Sequence, residues 1–501
     1  MLPEVPSQMN GPLVETPSTG GAPERVVDAA AGDLREWMGA VERMGQLRRI
    51  DGAACELEIG AISELVRRES RTKPALLFDK IPGYPVGYRV LANPLKSVPQ
   101  VAFTLNIPRE GQRLEVVRAI RNKLKALAPI APRVVASGPV LENVRRGSDV
   151  DVTAFPAPRW HEADGGRYLG TACVVITRDP ETGWINLGTY RVMVHGPREL
   201  GVYISPGKDA RIQMDKAFRA GKPFEIAISF GHDPLLFVAA SAKLSWGSSE
   251  YEYAGGLRGA PIEVVEGPTT GLPIPAGSEI AVEGIVRPGV TKVEGPFGEF
   301  TGYYASGSAP APVVEVKTVM HRHDPIILGT APGRPPSSLH LHLMTSAMVW
   351  DAMEKAGVPD VRGVWQHEAA PNWMLTVVSI KQRYAGHARQ AGLLASQVRG
   401  GAYMGRYIVV VDEDIDPSNL DDVIWALTTR SDPAQDIEIL RRCWSGPLDP
   451  IIPEDKKGLN SRAIIDACRP FEWMDRFPPV VEVEPALREA VLAKWGPQIL
   501  D

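Results

Sequence analysis

Two glutamates flank a Gly-Pro…Gly turn in Glu294-Gly-Pro-Phe-Gly-Glu299, a spacing that can bring both carboxylates to one side of a bend. Carboxylates confined together repel when both are ionised, so one keeps its proton toward neutral pH and can act as a general acid. Taken alone, the hexapeptide fits a solvated surface turn equally well. A second segment, Trp184-Ile-Asn-Leu-Gly-Thr-Tyr-Arg191, ends a strand-like run in an arginine. The planar fork of that side chain suits a carboxylate or a flavin edge, although a structural ion pair is the commoner fate of a lone strand arginine. Asn186 and Arg191 are an odd number of residues apart, so one regular strand would point them to opposite faces. Either Gly188 marks a bulge or the two residues serve different groups. The third segment, from Glu250 through Glu252 to the Gly255-Gly256 pair, reads as a glycine-rich loop. If it is extended, Glu250 and Glu252 share a side and begin an oxygen-ligand site for a divalent cation; two exposed glutamates are the ordinary alternative.

These residues need a scaffold, and the chain is patterned for one. Leu34, Met38, Val41, Met44 and Leu47 recur at helical spacing behind Asp33, a candidate N-cap. Helices are also expected in ELEIGAISELVRRES and EVVRAIRNKLKALA, with the short apolar runs PALLFDKI and YRVLANP between them. From about 135 to 330 the texture is strand-rich with Gly and Pro punctuation, as in TACVVITRD, FEIAISFG and SEIAVEGIV, which predicts a barrel or sandwich with one helical insertion, ARIQMDKAFRAG. Helical and strand periods then alternate to the C-terminus, the pattern of an α/β unit. The expected organisation is a mobile leader over 1–32, an N-terminal α/β portion over 33–134, a strand-rich domain over 135–330, an α/β domain over 331–480 and a terminal helix over 481–501.

Composition narrows the function classes. Sixty acidic residues against 55 Lys and Arg give a formal charge of −5 over 501 residues, which argues against a nucleic-acid partner. Cys55, Cys173, Cys443 and Cys468 form no CxxC pair, so reduced thiols are expected rather than a disulfide framework or a zinc finger. The first residues carry no basic, apolar targeting pattern, and no stretch approaches the ~20 apolar residues of a membrane span. A soluble, cytoplasmic protein is the expectation.

Several long stretches together resemble the UbiD family of decarboxylases, which includes the enzymes of ubiquinone synthesis and ferulic acid decarboxylase. They are DGGRYLGTACVVITRDPETGWINLGTYR, SSEYEYAGGLRGAPIEVVEG, PAGSEIAVEGIV, EGPFGEFTGYY and VVVDEDIDPSNLDDVIWALTTRSDP, in the family's order from about Asp33 onward. The resemblance implies an N-terminal α/β portion, a central split β-barrel like that of flavin reductases, and a C-terminal α/β domain whose last helix packs on a partner subunit in a homodimer or higher homo-oligomer. It implies prenylated FMN made by a separate flavin prenyltransferase, a divalent Mn or Mg ion, K+ as a further cation, and a small unsaturated or aromatic carboxylic acid as substrate. The chemistry agrees, because losing CO2 from an sp2 carbon leaves negative charge that side chains alone cannot accept.

By position in the family's motifs, Glu299 is the proton donor, Arg191 holds the substrate carboxylate and the flavin edge, and Glu294 orients Arg191. Thr171 and Trp184 fall where the family contacts the cofactor, and Arg399 at a basic phosphate-contacting position. Asn186 and Glu250 match two of the family's three metal ligands. The third, a histidine, is replaced by Lys208, whose ammonium could meet the phosphate directly; the alternative is Asp209 as an oxygen ligand after a one-residue shift. His340 and His342 read as pocket or core histidines, with Leu343 and Met344 near the substrate, and the segment after Gly446 lines the same pocket. His161 reads as a structural hydrogen-bonding histidine, and Asp412, Asp414 and Asp416 as a solvated strand-to-helix turn. Two other classes remain open: an oxidoreductase using ordinary FMN, and a non-catalytic assembly or binding protein of the same fold.

Overall fold

The computed structural model describes residues 31–109, 112–336, 338–456 and 458–499, so nearly all of the expected leader lies outside the described residues. The first helix, Leu34–Arg43, is capped as expected: the Asp33 carboxylate accepts the Glu36 N–H at 2.9 Å. It ends earlier than the periodicity indicates. Gly45 takes a positive φ of 68°, and Leu47 opens the strand Leu47–Asp51 instead of continuing the helix. That strand begins a four-stranded sheet with Ala75–Asp79, Arg89–Ala92 and Ile326–Leu328. The expected helices are present at Glu58–Glu69 and Arg113–Lys125.

The central sheet runs in the order Tyr168–Gly170, Val192–Gly196, Glu199–Val202, Ala309–His321, Ile280–Glu294, Phe224–Ser229, Val174–Arg178, Ile185–Gly188, with Asn143–Arg146 added on Ala309–His321. Consecutive strands in sequence, Ile185–Gly188 and Val192–Gly196, therefore lie near opposite edges. Laid flat, six inter-strand steps would separate them by roughly 29 Å. The four residue steps from Gly188 to Val192 reach about 14 Å at most. The sheet must curl until its edges approach, which makes it a half-barrel. Its strands alternate as a two-sided sheet requires: Val175, Ile226 and Ile228 pack with Phe230 and Val282 on one face, while Val174, Ile176 and Ala227 pack against helices Pro234–Ser241 and Glu250–Arg258 on the other. The helical insertion is Asp209–Arg219.

The C-terminal sheet runs Val361–Gln366, Leu375–Ile380, Tyr407–Asp412, Leu459–Ala467, Ile437–Trp444, with helices Leu339–Lys355 and His387–Gln397 on one face and Leu420–Arg430 on the other. Asp412, Asp414 and Asp416 do not form the solvated turn expected. Asp412 is buried and ion-paired to Arg430 and to Arg469 at 3.0 Å, and Asp414 pairs with Arg430 at 2.8 Å. Only Asp416 follows the turn pattern, accepting the Ser418 N–H at 2.8 Å. All four cysteines are free thiols. Among the described residues no helix is long and apolar enough to cross a membrane. The final helix, Pro485–Ile499, buries no residue.

Candidate active site

Residues 189–191 cross the open mouth of the half-barrel and carry Tyr190 one way and Arg191 the other. This resolves the odd spacing of Asn186 and Arg191, which lie on different segments rather than one strand. Arg191 donates from Nε to Glu294 Oε1 at 2.7 Å and from Nη2 to Glu294 Oε2 at 2.8 Å. Its Nη1 donates to Glu299 Oε1 at 2.5 Å. Glu294 is the last residue of its long strand, and Glu299 follows the turn that begins at Gly295 (φ 84°). The three side chains are 10%, 0% and 12% exposed for Arg191, Glu294 and Glu299 respectively, so the hexapeptide is no solvated turn.

The two carboxylates are not equivalent. Glu294 takes both arms of the guanidinium fork and a third bond, from the Tyr168 hydroxyl at 2.9 Å. Glu299 has a single arm plus the Ser306 hydroxyl at 3.0 Å. Burial pushes the Glu299 carboxyl above its ordinary range; Arg191 and Ser306 pull against this, and the Glu294 charge adds to it. Burial also opposes the Arg191 charge, but the hydrogen bonds and charges of the two glutamates outweigh it and the guanidinium stays ionised. Burial, then Glu294, raises the Tyr168 phenol, so it acts as a fixed donor. Arg191 is also stacked over Tyr203, 4.5 Å from the ring centroid, and Phe297, at 5.5 Å.

The turn is held from below by residues 161–165. Gly165 donates its N–H to Pro296 O at 2.8 Å, and the Asp164 carboxylate accepts from Gly298 N at 3.3 Å and His161 N at 2.9 Å. His161 hydrogen-bonds Asp164 through its backbone N–H, and its ring Nε2 lies 3.6 Å from the Glu64 carboxylate. A Cβ on Gly165 would lie 2.0 Å from the Gly295 carbonyl oxygen. Gly165→Ala is therefore expected to cost at least the ~1–3 kcal/mol of ordinary overpacking and to lower activity by moving Glu294 and Glu299. Denaturant midpoint and turnover measured together check this; a variant as stable and active as the parent would show that the loop yields without loss.

Phe300, next to Glu299, joins an apolar cluster with Leu341, Trp373, Met374, Tyr403, Met404 and Leu448. Leu448 comes from the segment after Gly446. Leu343 and Met344 instead face the main core of the helix Leu339–Lys355, and Leu341 is the residue turned to the cluster. His340 and His342 are buried, and burial pushes both rings down to about 3, so they are neutral core histidines.

Tyr190 leads to a second group of polar residues. Its hydroxyl bonds the Asn186 side chain, and Asn186 Nδ2 also donates to Thr177 Oγ1 at 3.3 Å. Glu250 accepts the Leu187 N–H at 2.9 Å, and burial raises its carboxyl to about 7. Contrary to the loop expected, Glu250 opens the helix Glu250–Arg258, capped by Ser249. Residues two apart on a helix point to nearly opposite sides, so Glu252 does not join Glu250. Asp209 opens another helix with Lys208 at its N-cap; burial raises the Asp209 carboxyl, against the pull of Lys208 and Arg399, and lowers the Lys208 ammonium. Arg399 reaches across to donate to Leu244 O at 2.7 Å and Ser245 Oγ at 3.5 Å. Trp184 donates to Ser248 O at 3.3 Å and packs at a tilt on Trp246, ring centroids 4.8 Å apart. Thr171 sits apart, accepting the Thr330 N–H at 2.9 Å.

Sequence reasoning missed Tyr168, Tyr190, Ser306 and Lys243. The only signal for Lys243 is its position as the first charge after the apolar run PLLFVAASA. Its Nζ is buried without a hydrogen-bond partner, 4.3 Å from the Trp373 ring centroid and 5.2 Å from that of Tyr403. Burial, then the charges of Lys208 and Arg399, push it down to about 8.

The donors present do not compose a divalent-cation cage. Among the described residues no group of three or more His, Cys, Asp or Glu could hold a metal ion. One Glu250 oxygen already accepts the Leu187 N–H, and the position beside Asp209 carries an ammonium.

Three family models of the 3-octaprenyl-4-hydroxybenzoate carboxy-lyases match in sequence: the N-terminal domain over residues 38–120, the Rift-related domain over 133–335 and the C-terminal domain over 338–467. A phenolic acid decarboxylase of Streptomyces sp. is 33% identical over 445 residues, covering 87% of this chain and 92% of its own. A pyrrole-2-carboxylic acid decarboxylase of Pseudomonas aeruginosa is 32% identical over 494 residues, covering 94% and 99%. Among solved structures, HmfF from Pelotomaculum thermopropionicum in complex with FMN superposes with a TM-score of 0.81 at 32% identity, covering 92% of this chain and 100% of that one. An evolved dimeric form of that enzyme in complex with prFMN gives 0.78 at 30% identity, covering 93% and 100%.

Proposed function

The chain belongs to the UbiD family of carboxy-lyases, and from that premise we propose that it reversibly decarboxylates an aromatic, heteroaromatic or α,β-unsaturated carboxylic acid with prenylated FMN as cofactor. The observation that carries the reading is the buried Glu294–Arg191–Glu299 array, drawn from segments more than a hundred residues apart. An oxidoreductase using ordinary FMN, or a binding protein, has no use for a buried acid poised in this way.

The residues present suit a flavin nucleotide. Lys208, Lys243 and Arg399 offer cations for its phosphate, and Asn186 and Trp184 flank the same region. Bound there, prenylated FMN supplies the electron sink that accepts the pair left as CO2 departs. Arg191 orients the substrate carboxylate, Glu294 keeps the guanidinium in place and ionised, and Glu299 delivers its proton to the carbon that CO2 vacates. In the carboxylation direction the Glu299 carboxylate removes that proton. Phe300, next to Glu299, shields the ring of the acid from water. The same reading makes a flavin prenyltransferase the cofactor supplier, places the enzyme in the cytoplasm, and seats Leu487, Val491 and Trp495 of the exposed terminal helix on a second copy.

The test is the mass of the flavin released from protein co-produced with a flavin prenyltransferase and purified without oxygen, followed by a panel of phenolic and pyrrole acids. Prenylated FMN and CO2 release from one of them are expected; ordinary FMN with no CO2 release would overturn the reading.

The pH dependence has a definite sign. The Glu299 carboxyl is raised, so its proton persists above the ordinary carboxylic range and leaves as pH rises through the elevated pKa. Decarboxylation kcat is expected to hold on the acid side and fall on the alkaline side of that value. A kcat that rises through the same interval would contradict the assignment.

A further inference from the structure

We propose that this chain neutralises the flavin phosphate with three side-chain cations, Lys208, Lys243 and Arg399, and needs no divalent metal to do so. The proposal rests on the flavin reading above and concerns how this chain differs from the metal-bridged arrangement implied by its resemblance. A phosphate monoester carries close to two negative charges at neutral pH. A hard divalent cation bridging it needs several oxygen ligands; the residues here supply only the Asp209 and Glu250 carboxylates and the Asn186 amide, with one Glu250 oxygen already accepting the Leu187 N–H and the Lys208 ammonium next to Asp209.

The cations converge from three separate segments. Lys208 stands at the N-cap of one helix without a side-chain bond to it, Lys243 follows another, and Arg399 enters from the C-terminal lobe to bond the two residues next to Lys243. Arg399 spends its donors on a carbonyl and a hydroxyl, neither of which cancels its charge. Lys243 is the decisive residue. Its buried Nζ has no hydrogen-bond partner and is held between the Trp373 and Tyr403 rings. Aromatic faces fix an ammonium in position without neutralising it, leaving its N–H donors for an anion. A buried, unpaired ammonium beside two further cations is unfavourable in the free protein and is relieved when a phosphate enters.

The experiment titrates FMN and riboflavin into the flavin-free protein, followed by flavin fluorescence, with EDTA or with Mn2+, and measures bound metal by mass spectrometry. FMN affinity is expected to be indifferent to EDTA, with metal well below one equivalent. Lys243→Met is expected to weaken FMN by about tenfold or more, the loss of one charge-assisted hydrogen bond, while leaving riboflavin, which lacks the phosphate, unchanged. Lys208→His should make FMN binding respond to Mn2+. FMN binding that EDTA weakens together with stoichiometric metal, or an unchanged FMN affinity in Lys243→Met, would overturn this proposal and leave the flavin reading intact. Failure of both flavins to bind would sink the flavin reading and this proposal with it.

Discussion

Glu299→Gln is expected to cut turnover by two to four orders of magnitude, about 10²–10⁴-fold, while the flavin stays bound. The amide keeps an oxygen to accept from Arg191 Nη1 and Ser306 Oγ, now at 2.5 and 3.0 Å from the carboxylate, so the array and the fold should persist. What it lacks is a transferable proton. A positioned general acid is worth about 10²–10⁴-fold in rate, so kcat should fall by that factor with bound flavin per chain unchanged. Normal turnover in this variant would remove Glu299 from the chemistry. Glu299→Asp keeps the acid but shortens its reach by about one C–C bond, and should retain a fraction of the parent rate.

Arg191 is the other position with a large expected effect, because it serves both stability and catalysis. Glu294 is fully buried and receives two of its three hydrogen bonds from this one side chain. Truncating Arg191 to Ala leaves that carboxylate without a counter-charge, and breaking a buried pair in this way costs about 3–5 kcal/mol. Arg191→Ala should therefore lower the denaturant midpoint and lose activity together. Arg191→Lys separates the two roles: the ammonium restores charge and much of the stability, but a single point donor cannot bridge Glu294 and Glu299 as the planar fork does. Near-parent stability with activity still lost is the expected result for Arg191→Lys. Recovery of full activity would show that only the charge matters.

Much of the site was legible because it is encoded locally. The Glu294…Glu299 hexapeptide places both acids on one turn, and its short-range geometry brings them within reach of a single guanidinium. Asp33 announces the first helix by its capping chemistry, and the strand-rich middle announces a sheet. Other readings failed where local pattern and tertiary context disagree. Leu47 keeps helical spacing but falls beyond Gly45, whose positive φ ends the helix, so it enters a strand. Glu250 sits in a glycine-containing stretch that resembles a loop, yet Ser249 caps it as a helix packed on the half-barrel. Leu343 and Leu341 are two residues apart on one helix, and which of them joins the cluster around Phe300 depends on how that helix is rotated against its neighbours.

By itself, then, the sequence determined the residue types that can do the chemistry, the secondary structure around most of them, and membership of a family. Only the tertiary structure decided how they meet. Arg191 reaches both glutamates because the half-barrel curls until residues 189–191 can cross its mouth. Lys243 becomes an unpaired cation because helices and loops distant in sequence close around it. Both outcomes depend on pairings between segments far apart in the chain. Periodicity and spacing report only whether a residue faces a core or water, not which remote residue it will face there.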